Sequence, residues 1–231
     1  MKLQFLPSRE QRGMSLIFAL LALVALSLAT LALVRSVDTS SMLLGNVGFK
    51  QDATVSGDQA SRLAVAWLKA NVTSLDADAP SSGYYSSTKE VNGDGTKTLV
   101  DATGQQLPPA LVTRKLIDWS TGQDGQCPYA ASGTYASCTI RSANADISAS
   151  TANTARYVIF RLCANTGTAE DEVANSCAKP LSDAGAASGR GALAYGTGRI
   201  GTKSGPYYRI VVRILGPRNT TSFTETIVNF Q

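Results

Sequence analysis

Residues 10–35 read EQRGMSLIFALLALVALSLATLALVR. A charged leader containing Arg9, Glu10 and Arg12 gives way at Gly13 to a run of nineteen uncharged residues, Leu16 to Val34. As a helix, ~20 apolar residues span the ~30 Å hydrocarbon core of a bilayer. A secretory signal has a shorter apolar stretch, followed by a small-x-small cleavage site. Here the run is long and passes into ALVRSVDTSS, residues 32–41, a poor site of that kind. The small residue beside the charged leader stands in front of the run, at Gly13. A cut there leaves the apolar helix in the mature chain, starting at Met14.

Once the first seventy or so of the 231 residues are set aside, about 155 remain, enough for one compact domain. Residues 1–74 hold seven Lys or Arg against four Asp or Glu, and residues 75–231 hold fourteen against thirteen. The basic excess therefore flanks the apolar segment, as the positive-inside rule requires of a membrane protein. A nucleic-acid-binding domain does not follow from the overall pI. Cys127, Cys138, Cys163 and Cys177 all lie in the later part. An even number of cysteines behind a membrane segment fits disulfides in an oxidising compartment. Of the three possible pairings, the sequential one, Cys127–Cys138 with Cys163–Cys177, closes two short loops and is the expected one. The competing readings are reduced buried cysteines, or zinc. Zinc is disfavoured because no CxxC pair and no histidine occur.

The helix is predicted to run from Met14 to Asn71. Ala60, Leu63, Ala64, Trp67 and Leu68 recur at helical steps, with Asp58, Arg62 and Lys69 on other faces. Gly45, Gly48 and Gly57 make the stretch between Gly45 and Gly57 its weakest part, since each costs about 1 kcal/mol relative to Ala. At 1.5 Å per residue the helix is roughly 85 Å long, so its apolar half has to enter lipid or a fibre core. Residues 75–95 read as loop. Strands are expected at Lys97–Asp101, Leu111–Trp119, Ser137–Arg141 and Ala155–Cys163. The clearest is the hairpin of YYRIVVRIL, residues 207–215, and SFTETIVNF, Ser222–Phe230. Tyr208, Ile210, Val212 and Ile214 share one face, with Arg209 and Arg213 on the other. A long helix followed by strands without a repeating βαβ pattern predicts an α+β fold, an antiparallel sheet laid on the helix.

QRG before Met14 and an apolar helix resembles the class III signal of type IV pilins and pseudopilins. LLGNVGFKQDATVSGDQASRLAVAWL, residues 43–68, and RYVIFRLC, residues 156–163, followed by Cys177, resemble minor pilins of the PilX type. The resemblance implies a pilin-like fold: a leader over 1–13, a membrane or fibre-core half-helix over 14–34, an amphipathic half over 35–71, and a head domain over 72–231. It implies that prepilin peptidase cleaves after Gly13 and methylates Met14. The mature protein is then held in the bacterial inner membrane with a periplasmic head, before reaching the pilus tip. The implied partners are other minor pilins, the major pilin and a PilY-type tip adhesin. The fifth mature residue of major pilins is a glutamate that neutralises a neighbour's N-terminal amine, and here that position is Phe18. The Cys163–Cys177 loop, with Glu170, Asp171 and Glu172, is the candidate partner-contact surface, the plainer reading being a solvated loop. Two rivals stay open: a K-type minor pseudopilin of type II secretion, which also lacks the glutamate, and an uncleaved single-pass membrane protein with an extracytoplasmic binding domain.

Other motifs are weaker. GTGRIG, Gly196–Gly201, has the GxGxxG spacing but precedes a turn and a strand, not a helix whose N-terminus could hold a phosphate. DWSTGQDGQ, Asp118–Gln126, lacks the alternating oxygen ligands of a calcium hand and reads as a turn. Asn71 and Asn219 open glycosylation-type triplets of a kind common by chance. With no histidine and no marked carboxylate pair, no catalytic residue, metal or cofactor is expected, and the chain is not read as an enzyme.

Overall fold

The structure is a computed structural model describing residues 14–104, 114–122, 124–125, 127–129, 135–147, 152–171, 174–180 and 205–229. Two compact units emerge, Met1–Lys50 and Gln51–Gln231, and one helix, α1 (Met14–Ala70), contributes to both. The helix is unbroken, although weakness was expected at the glycines. Added Cβ atoms at Gly45 and Gly48 would meet nothing within 4 Å. Gly57 is different: a Cβ there would stand 3.0 Å from Thr224 Oγ1 and 3.3 Å from Ile214 Cδ1. The absent side chain lets helix and sheet approach closely, and this packing offsets the propensity cost of glycine. The helix ends one residue before the expected Asn71, whose side-chain amide donates to the Trp67 carbonyl at 2.8 Å.

In the second unit the end of α1 lies on a five-stranded sheet. Its strands are β1 (Tyr84–Tyr85), β5 (Ala143–Ala145), β6 (Thr154–Arg161), β7 (Tyr207–Gly216) and β8 (Thr220–Asn229). The order is β1-β6-β7-β8, with β5 also paired to β6. The β6–β7 and β7–β8 pairs are antiparallel, and they form the hairpin core that the alternating sequences predict. Ala60, Ala64 and Leu68 of the helix meet Ile159, Tyr208, Ile210, Val212 and Ile214, all buried. Full burial of each large aliphatic side chain contributes roughly 1.5–3 kcal/mol. Leu63, read as part of the packed stripe, is 37% exposed. Trp67 is half-buried and lies 5.3 Å, centroid to centroid, from Tyr84. The architecture is α+β, a long N-terminal helix packed on a small sheet, consistent with a pilin-like fold.

Three features go beyond the strands and pairings expected from the sequence. β1 falls in the stretch read as loop and pairs parallel with β6; β5 was not anticipated. Both share the same edge of β6, and Gly83 sits at their junction with φ +66°. A Cβ on Gly83 would stand 2.8 Å from both Ala143 N and the Tyr157 carbonyl oxygen, so only glycine fits. A second sheet, β2 (Val100–Asp101), β3 (Arg114–Asp118) and β4 (Tyr135–Arg141), is parallel throughout. It covers the far face of the first sheet through Val100, Ile117, Trp119 and Ile140 against Val158, Phe160 and Val211. Val211 is therefore buried although it shares a face with Arg209 and Arg213.

Candidate functional site

In the first unit, α1 is described from Met14 onward, and Gly13 lies outside the described residues. From Leu16 to Leu44 the large apolar side chains are exposed, Phe18 at 66% and Leu44 at 73%. One helix is long and apolar enough to cross a membrane, and none of that apolar window is buried within the protein. Its polar residues are satisfied locally. Ser27 Oγ donates to the Leu23 carbonyl at 2.8 Å and Thr30 Oγ1 to the Ser27 carbonyl at 2.9 Å. Such back-bonding keeps hydroxyls from demanding a partner in hydrocarbon. Phe18 presents a ring where a carboxylate would offer an acceptor, and no acid occurs between Glu10 and Asp38.

In the second unit, Cys163 and Cys177 face each other across a β-bridge with sulfurs 2.02 Å apart and Cα atoms 3.9 Å apart. Cys127 and Cys138 are likewise bridged, with Cα atoms 6.0 Å apart, under Leu116. The Cys163–Cys177 loop is braced from within. Buried Asn175 accepts at Oδ1 from Asn165 N at 3.0 Å, and Ala174 N donates to Asp171 Oδ1 at 3.0 Å. Asp171 is thus a turn-forming residue as well as an exposed acid. Glu170 is exposed, and Glu172 lies outside the described residues.

The loop is fixed to the head by Arg161, which has 1% exposure at the end of β6. Its Nε donates to the Ser86 carbonyl at 2.9 Å and its Nη1 to the Leu75 carbonyl at 3.0 Å. Nη1 also meets Asp76 Oδ1 at 3.0 Å, and Nη2 donates to the Gly167 carbonyl. Taking a guanidinium out of water costs several kcal/mol unless its donors are satisfied. Asp76 is 65% exposed on its side chain, so water screens that ion pair. The three carbonyls provide most of the compensation. One side chain thereby joins the segment after the helix, the segment after β1 and the disulfide loop. Sequence reading assigned Arg161 no role; its only signal was a cation placed after the apolar run Tyr157–Phe160, directly before Leu162 and Cys163.

A second polar cluster lies beside it. Asp78 accepts from Ser86 N and Ser86 Oγ, both at 2.9 Å, and pairs with Lys89. Burial raises the Asp78 pKa, but the Lys89 and Ser86 hydrogen bonds outweigh it, and the net shift is downward. Burial pushes the Tyr85 phenol up to about 12, opposed by the hydrogen bond that Arg141 N donates to it at 2.6 Å. Neither cluster forms a nucleophile–base pair.

The remaining motifs resolve simply. Asp118 is buried and spends its oxygens on Ser120 N at 2.8 Å and Gly125 N at 2.9 Å, a turn. The GTGRIG stretch lies outside the described residues. Comparison with protein-family models, curated proteins and solved structures finds no match to this chain.

Proposed function

We propose that this chain is a minor pilin of the type IV pilus, of PilX type. In this reading prepilin peptidase cuts after Gly13 and methylates Met14. The protein then waits in the bacterial inner membrane with its head in the periplasm. It enters the pilus through α1, together with other minor pilins and a PilY-type adhesin, to begin assembly at the tip. The observation that carries the reading is the unbroken helix described over Met14–Ala70, which ends packed on a sheet. Its first half exposes large apolar side chains that need lipid or other helices around them. No catalytic role is proposed.

Phe18 supports a place at the tip. A buried, unpaired ammonium costs several kcal/mol, and a subunit without a carboxylate at that position offers its neighbour no partner. Such a subunit is tolerated where no neighbour needs one. Immunogold labelling of isolated pili, using an epitope in the head, tests this. Label at fibre ends supports it, and regular label along the shafts overturns it. Absence from pili with retention in the membrane favours the single-pass binding protein instead.

A further inference from the structure

Strand β8 is the outer strand of the five-stranded sheet. Among the described residues it pairs only with β7, in one register from Thr220 to Asn229. Proteins usually blunt such an edge with a short strand, a proline, a lysine or a bulge, because its free backbone groups recruit other strands. This edge has ten residues, no proline and no lysine, and its register is unbroken. Its one charge, Glu225, is paired with Arg209 at 2.9 Å, and Ile227 is 57% exposed. Beside it runs an open groove of about 530 Å³ lined by Asp58, Ser61, Arg62, Val65, Lys69 and Thr226.

We propose that the β8 edge accepts an extended, acidic segment of a partner protein as an added strand. Main-chain hydrogen bonds would supply affinity, and alternate side chains would supply specificity. Successive residues of an added strand point to opposite faces. One set enters the groove, where Arg62 and Lys69 outnumber Asp58. The other set lies beside Phe223, Ile227 and Glu225 of β8, the last already paired with Arg209. Acids on the first face and apolar residues on the second match this surface. A second copy of this chain matches it poorly. On β8 the residues that face the helix include Thr224 and Thr226, and Glu225 faces the opposite way. A copied β8 would bring no acid to the groove, and a two-fold pairing would bring Arg62 and Lys69 of both copies together. The edge has this chemistry whether or not α1 is assembled into a pilus, so its test stands apart from that reading.

The test titrates the full-length protein in detergent with a fluorescent peptide of alternating glutamate and valine. Two controls are its lysine-for-glutamate counterpart and the acidic peptide N-methylated at alternate backbone nitrogens. The acidic peptide is expected to bind saturably and to slow amide exchange across residues 220–229, while each control binds about tenfold more weakly or less. Arg62 and Lys69 are both exposed, so R62E/K69E should reverse the preference toward the lysine peptide with the unfolding temperature unchanged. Failure of the acidic peptide to bind, or equal binding of the N-methylated peptide, overturns the proposal. Protection of residues 220–229 that rises with protein concentration in the absence of peptide also overturns it, because a second copy would then be the occupant.

Discussion

Arg161 Nη1 donates to the Leu75 carbonyl oxygen at 3.0 Å, across 86 residues of sequence, and so ties the exit of α1 to the end of β6. Because the same guanidinium also holds Gly167, the disulfide loop is positioned by a buried cation and not by its covalent bridge alone.

Replacing Arg161 with methionine should therefore destabilise the head by about 3 kcal/mol or more, since it strands several buried carbonyls. Arg161→Lys keeps the charge but loses the fork, and should recover only part of this. Asp76→Asn should cost less than about 1 kcal/mol, because that carboxylate is largely in water. Chemical unfolding of the three variants checks the order; an Asp76→Asn loss as large as that of Arg161→Met would contradict it.

The glycines of α1 should separate by position. Gly57→Ala gains up to about 1 kcal/mol in helix propensity but forces its Cβ against Thr224 and Ile214, so the net change should be destabilising. Gly45→Ala and Gly48→Ala meet nothing within 4 Å and should be neutral or stabilising by up to about 1 kcal/mol. Thermal melts of the full chain in detergent distinguish the two classes.

Asp78 should shape the acid limb of stability. Its folded pKa lies below the ordinary carboxylate value, so the contribution is complete above about pH 4 and is lost as pH falls through the lowered value. Asp78→Asn should flatten that part of the profile in pH-dependent unfolding, with the largest difference from the parent near neutrality.

Tyr85 works at the other end. Its pKa is raised to about 12, so the neutral phenol stabilises the fold fully below the ordinary tyrosine value and loses that effect as pH rises through about 12. A spectrophotometric titration should show a late tyrosinate component that Tyr85→Phe reduces but does not abolish, because burial also raises the Tyr84, Tyr129, Tyr157 and Tyr208 phenols. Complete ionisation near pH 10 in the folded protein would contradict this.

The parts of the fold legible in the sequence were those written in local periodicity. The β7–β8 hairpin alternates, and Ala60, Ala64 and Leu68 recur at helical steps. The parallel pairings were not legible, because each joins segments whose partner cannot be read from neighbouring residues. Tyr84–Tyr85 is also too short to show a period. Gly57 looked like a helix defect because its reason lies on β8, far along the chain. The burial of Val211, between Arg209 and Arg213 on one face of β7, depends on a covering sheet built from β2, β3 and β4. For the candidate site, the readings of Gly13, Met14 and Phe18 rest on one continuous stretch of sequence alone. The role of Arg161 could not be read in that way, since it depends on three carbonyls brought to it by the fold.

The central claim is that α1 is kept and begins the mature chain. Intact mass and N-terminal peptide mass spectrometry of the protein purified from the membrane of a bacterium with prepilin peptidase test it most directly. The predicted result is a chain starting at Met14 with a methyl group on its amine. A chain that keeps Met1, or one cut beyond the apolar run with α1 lost, would contradict it.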